Sequence, residues 1–177
     1  MRKALFACLA LVIVTCAVAQ AGPKRGPSTP EERQRFLAIT HRMEETPLDP
    51  ALRSEREWAL RWLIEVPDVS ASICTAPLGD FLKKKYKYSS EIVVQLTFSS
   101  GAFVIEHPEQ AKDSMSQTMA SVEGALKAYQ SILKTKPDAK SKELDELLQR
   151  QSQGTFTNYV RDAAAKGCQG ASSSSSL

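Results

Sequence analysis

Residues 91–107 read EIVVQLTFSSGAFVIEH. Two runs of β-branched and aromatic residues flank Ser99-Ser100-Gly101, which is the form of a β-hairpin turning at the small residues. The same residues fit a buried α-helix capped by Ser89 or Ser90. The choice decides between an all-α protein and an α protein with one hairpin at 91–107. The segments on both sides carry helical signals, and an isolated two-stranded hairpin is marginal in water. A helix is therefore expected, with Ser99, Ser100 and Gly101 letting a neighbouring helix approach closely.

On the C-terminal side the period is clear. Ala111, Met115, Met119, Val122, Leu126, Tyr129 and Leu133 recur every three or four residues, predicting a helix over about 114–135. Pro137-Asp138 breaks it. Leu144, Leu147 and Leu148 mark a further helix ended by Gly154, and Phe156, Tyr159, Val160 and Ala163 mark a last one ended by Gly167. Ala125, Tyr129, Ile132 and Pro137 resemble the second helix of a tetratricopeptide repeat. The repeat's Trp, Leu-Gly and Tyr positions are missing and no second copy follows, so the match assigns no family.

On the N-terminal side, Thr29-Pro30-Glu31-Glu32 has the form of a capping box with proline at the first helical position. Its helix carries Phe36, Ile39 and Met43 and should stop before Pro47. Asp49-Pro50 starts another, rich in apolar residues (Leu52, Trp58, Ala59, Leu60, Trp62, Leu63, Ile64, Val66) and therefore expected at the centre of a bundle. Residues 68–88 read as one or two short helices interrupted near Pro77. The expected architecture is an all-α, single-domain helical bundle of about six to eight helices over residues 29–168.

Residues 1–19 read as a signal peptide: Met1-Arg2-Lys3 is basic, 4–14 is apolar, and Ala17-Val18-Ala19 suits cleavage before Gln20. Cys16 after Ile13-Val14-Thr15 resembles a lipoprotein acylation site. Such sites favour a smaller residue than Thr15 and Leu in place of Ile13, so simple export, periplasmic or extracellular, is the better fit. Residues 20–28 read as a flexible leader and the serine-rich 169–177 as a disordered tail. Without Arg2 and Lys3 the 23 basic residues fall to 21 against 20 acidic ones, which is not the footprint of a general nucleic-acid binder. Cys8 and Cys16 leave with the signal. Cys74 and Cys168 remain, an even pair that an oxidising compartment would favour as a disulfide, with two separate buried thiols as the alternative.

Catalytic motifs are absent. The chain has no glycine-rich phosphate loop, no G-x-S-x-G and no C-x-x-C. Only His41 and His107 supply imidazole; His41 shares a helical face with Glu44, but no second such pair exists to complete a metal site. Glu55/Glu57 and Glu143/Asp145/Glu146 are the carboxylates a hydrolase could use, although Glu57 is spaced to pair with Arg61 on a helix surface. The most suggestive stretch is Lys83-Lys84-Lys85-Tyr86-Lys87-Tyr88, whose lysines can grip anionic groups and whose tyrosines can stack on rings. Lys134, Lys136, Lys140 and Lys142 form a second basic group around Pro137. Lysines at helix C-termini also complement the macrodipole, and this is the plainer expectation for both groups.

The functional expectation is an exported, non-enzymatic binding module for another envelope or secreted protein, with no cofactor, metal or nucleic-acid partner. One alternative is a binder of polyanions, cell-wall glycan or anionic lipid headgroups through residues 83–88. The other is an envelope hydrolase using Glu/Asp pairs.

Overall fold

The structure is a computed structural model describing residues 25–168; the expected signal peptide with Cys8 and Cys16, residues 20–24 of the leader, and the serine-rich tail lie outside the described residues. Thr29 and Glu32 close the capping box in both directions, at 3.2 and 3.0 Å, and start α1 (Pro30–Glu45). Just before it, the Asp68 carboxylate accepts hydrogen bonds from the Ser28 N–H, the Ser28 hydroxyl and Arg33, each at 2.8 Å. The end of the segment read as a leader is thus fastened to the loop that follows the second helix.

Burial pushes the Asp68 carboxyl up, but the bonds from Ser28 and Arg33 outweigh it and bring it down to about 2. A carboxyl lowered by folding contributes stability that is complete above its ordinary value of 3.8 and lost as the pH falls through about 2. Asp68→Asn should therefore flatten the acid limb of a pH–stability curve in that window. An unchanged limb would mean that the latch contributes nothing.

Asp49 caps a 3₁₀ turn (Pro50–Leu52) that runs into α2 (Arg53–Glu65). Contrary to the sequence expectation, α2 lies at the edge of the bundle. Ala59, Trp62 and Leu63 face inward, whereas Ile64 is 76% and Leu60 38% exposed. Apolar content exceeded what one buried stripe needs, and the surplus falls on the outer face; Trp58 is covered there by the Arg35 guanidinium, 3.9 Å above its ring.

Residues 66–88 contain no α-helix, also against expectation. Two 3₁₀ turns (Ala76–Leu78 and Phe81–Lys83) replace the predicted short helices. Pro77 interrupts the hydrogen-bond ladder, and Gly79 takes a φ of 57°, a left-handed conformation that ends the first turn. Leu78 and Phe81 anchor the segment in the core.

The stretch with the ambiguous period is helical: α3 (Ser89–Glu106). Its N-cap is Tyr88, without a capping side chain, and Ser89 and Ser90 are the first helical residues rather than caps. Then come α4 (Ser114–Thr135), α5 (Lys142–Ser152) and α6 (Phe156–Gly167). Six α-helices and no strand are present among the described residues. None is long and apolar enough to cross a membrane.

Helix α3 sits between two core clusters, which explains why its apolar residues surround it. Ile92 and Leu96 pack with Val122, Leu126, Tyr129 and Ile132 of α4, Leu144 and Leu147 of α5, and Phe156 and Val160 of α6. Phe98, Ala102 and Val104 pack with Phe36, Ile39 and Met43 of α1 and Trp62 and Leu63 of α2. A polar seam runs between the clusters. Buried Gln117 accepts from the Ser72 N–H at 2.7 Å and donates to the Ala111 carbonyl at 2.7 Å, so one amide pins two loops to α4. The Cys74–Cys168 disulfide joins residues 66–88 to the end of α6, with Cα atoms 5.9 Å apart.

Candidate functional site

The fold brings together the two lysine groups that are about fifty residues apart in sequence. Tyr86 donates its hydroxyl hydrogen to the Ala139 carbonyl at 3.0 Å, tying the loop before α3 to the turn after α4. Between them lies a groove of about 440 Å³, lined by Lys85, Lys87, Lys136 and Lys140 with Tyr86, Tyr88 and Thr135. Asp138 is the one carboxylate in its lining, leaving a formal charge of +3. Among the described residues none of these four lysines is within 4 Å of a carboxylate oxygen.

The six residues singled out in sequence do not act alike. Lys83 is held by Asp80 at 2.8 Å, a hydrogen bond that raises the ammonium and lowers the carboxyl. Lys84 lines a neighbouring crevice instead. Lys85, Tyr86, Lys87 and Tyr88 line the groove. Tyr86 is half-buried against Phe81, Tyr88 and Tyr129, and burial pushes its phenol up to about 12. It fastens the groove rather than offering a free ring. Tyr88 lies beside it, edge-on, with the Lys87 ammonium 5.4 Å from its ring centre.

Within residues 83–88 the macrodipole account suits only Lys83, at the end of the Phe81–Lys83 turn. Lys84, Lys85 and Lys87 precede the N-terminus of an 18-residue helix, the end where the dipole disfavours cations. For the second group the account holds in part, since Lys134 and Lys136 sit at the C-terminus of α4. Lys142 pairs with Glu146 at 3.9 Å.

Tyr129 braces the chain just after the turn that bears Lys136 and Lys140. Fully buried, it accepts from the Ser141 N–H at 2.8 Å and donates to Asp145 at 2.7 Å. Burial, reinforced by the Asp145 carboxylate, holds its phenol protonated well above the usual range. Tyr129→Phe should cost about 1–2 kcal/mol in a urea titration, because it strands a buried N–H. A change within error would mean that the turn bearing Lys136 and Lys140 is held by other contacts.

The residues considered for other chemistry lie elsewhere. His41 and His107 both line a second cleft, of about 340 Å³, formed by α1, α3 and α4. His41 is 3.7 Å from Glu44 and 3.3 Å from Glu106, and Glu44 also meets Lys127 at 3.2 Å. These contacts cross-link three helices. No group of three His, Cys, Asp or Glu side chains among the described residues is placed to hold a metal ion. Glu55 pairs with Arg42 at 2.6 Å. Glu57 pairs back to Arg53 at 3.2 Å, not forward to Arg61 as expected. Glu143 accepts from the Ser141 hydroxyl, Asp145 from Tyr129, and Glu146 faces Lys142.

Sequence reasoning found both lysine groups but not their union, which depends on α4 folding back beside the start of α3. No family model, no curated protein and no solved structure matches the chain.

Proposed function

We propose that this protein is an exported, non-enzymatic binding module whose recognition site is the lysine–tyrosine groove, and whose ligand is an anionic glycan. The reading rests above all on the convergence of four unpaired lysines from two distant segments on one groove. Lysines are compact, strongly hydrated point charges, suited to gripping sulfate or phosphate groups without the planar fork of arginine. Like charges gathered around a groove repel one another unless an anion enters, so the arrangement is stabilised by an anionic ligand. Export is supported by the signal-peptide pattern of residues 1–19 and by the disulfide, a bond that persists in oxidising compartments.

The test is calorimetric titration of the protein beginning at Gln20 with heparin and with uncharged dextran at several salt concentrations. The proposal expects binding to heparin alone, weakening with salt along a log–log slope of about three to four, as four lysines release counterions. No binding to heparin, or binding indifferent to salt, would overturn it. Docking of a partner protein has a narrower basis, the exposed Leu60 and Ile64 on α2.

A further inference from the structure

We infer that the groove reads a short, multiply charged anionic segment and does not track along a polymer, because the crevice lined by the sequence neighbours of its lysines holds Asp80, Glu143 and Glu146 and no net positive charge. This rests on the groove being an anion site and concerns how much of the ligand it grips.

A crevice of about 290 Å³ is lined by residues that neighbour the groove's lysines in sequence. Lys84 lines the crevice and Lys85 the groove; Lys142 lines the crevice and Lys140 the groove. The two hollows therefore share a ridge made by residues 84–85 and 140–142, which the Tyr86–Ala139 and Tyr129–Ser141 hydrogen bonds hold in place. Their electrostatics differ. In the crevice Lys84, Lys142 and Arg150 face Asp80, Glu143 and Glu146, giving no formal net charge. Lys142 is already engaged by Glu146, and the Arg150 guanidinium lies 4.1 Å from the ring centre of Tyr159. Asp80 in turn holds Lys83, at 2.8 Å.

An anionic chain crossing the ridge thus leaves a field of +3 and enters a crevice of no formal net charge, where Glu146 holds Lys142. Each further anionic unit there meets no net positive charge, so it releases few of its own condensed counterions. At the other end of the loop Tyr88 is followed by Ser89-Ser90-Glu91, again without a lysine. The cation at that end, Arg56, already faces Glu91 at 3.9 Å, and with Lys134, one residue before Thr135, the footprint is about five charges.

The experiment compares inorganic tripolyphosphate with long-chain polyphosphate. The readout is the salt slope of binding, which does not depend on how many registers a long chain offers. The wild type is expected to give the same slope for both. Asp80→Asn/Glu143→Gln/Glu146→Gln frees Lys83 and Lys142 and opens the border, so its slope for the long chain should rise by one to two, while that for tripolyphosphate stays put. A wild-type slope that grows with chain length, or a long-chain slope unmoved in the triple variant, would overturn the inference while leaving the anion site intact. Failure of both polyphosphates to bind would instead overturn the site itself. Thermal unfolding of the triple variant, expected to match the wild type closely, separates these outcomes from misfolding.

Discussion

Cys74→Ser/Cys168→Ser should unfold at a temperature lower by on the order of 10 °C, reflecting a loss of roughly 2–5 kcal/mol. The bridge spans a sequence separation of 94, and a closed loop of that size restricts the unfolded chain strongly, by up to about 4.7 kcal/mol in the chain-entropy account. The native side of the balance points the same way. Residues 66–88 have no α-helical hydrogen-bond ladder, and at the disulfide they meet α6 closely enough that a Cβ on Gly167 would lie 2.5 Å from that of Ala76. Hydrogen exchange should show residues 74–88 losing protection first in the reduced protein. A melting temperature indifferent to reductant would mean that core packing by Leu78 and Phe81 alone fixes the segment.

Gly124→Ala carries the second large effect. Alanine normally stabilises a helix interior by about 1 kcal/mol relative to glycine. Here its Cβ would fall 1.9 Å from the Ser99 hydroxyl oxygen, 2.7 Å from the Ser99 Cβ and 3.0 Å from a Glu44 carboxylate oxygen. Rotating the hydroxyl relieves only the first contact, so α3 and α4 must move apart where they cross at Ser99 and Gly124. A net loss of about 1–3 kcal/mol is expected in guanidinium denaturation. Ser99→Gly in the same background should restore part of it, and the coupling in the double-mutant cycle should be favourable. If Gly124→Ala proves neutral, the two helices do not cross closely at this point.

That crossing also shows what the sequence could reveal. Ser99-Ser100-Gly101 marked a close approach, and the helical context around 91–107 selected helix over hairpin. The bounds of α1 and α4 followed from Thr29-Pro30, Pro47 and Pro137, because capping and proline geometry are local. The partner of the close approach, Gly124, lay within an amphipathic stripe that gave it no mark. Position within the bundle was harder still. Leu60 and Ile64 made α2 look central, although apolar content alone does not say which face is covered. Residues 68–88 look like one or two short helices in sequence, but Pro77 and Gly79 stop a helix that has few turns to gain. The lysine groups were visible, but their roles depended on which helix end each adjoined. Lys83 ends a 3₁₀ turn, whereas Lys84, Lys85 and Lys87 precede α3.

The central claim, that two distant lysine groups make one site, is tested most directly by salt elution from immobilised heparin. Lys85→Glu/Lys87→Glu and Lys136→Glu/Lys140→Glu should each lower the eluting salt concentration by a similar amount, and the combined variant should not be retained. Elution unchanged by reversal of either pair alone would contradict a shared groove.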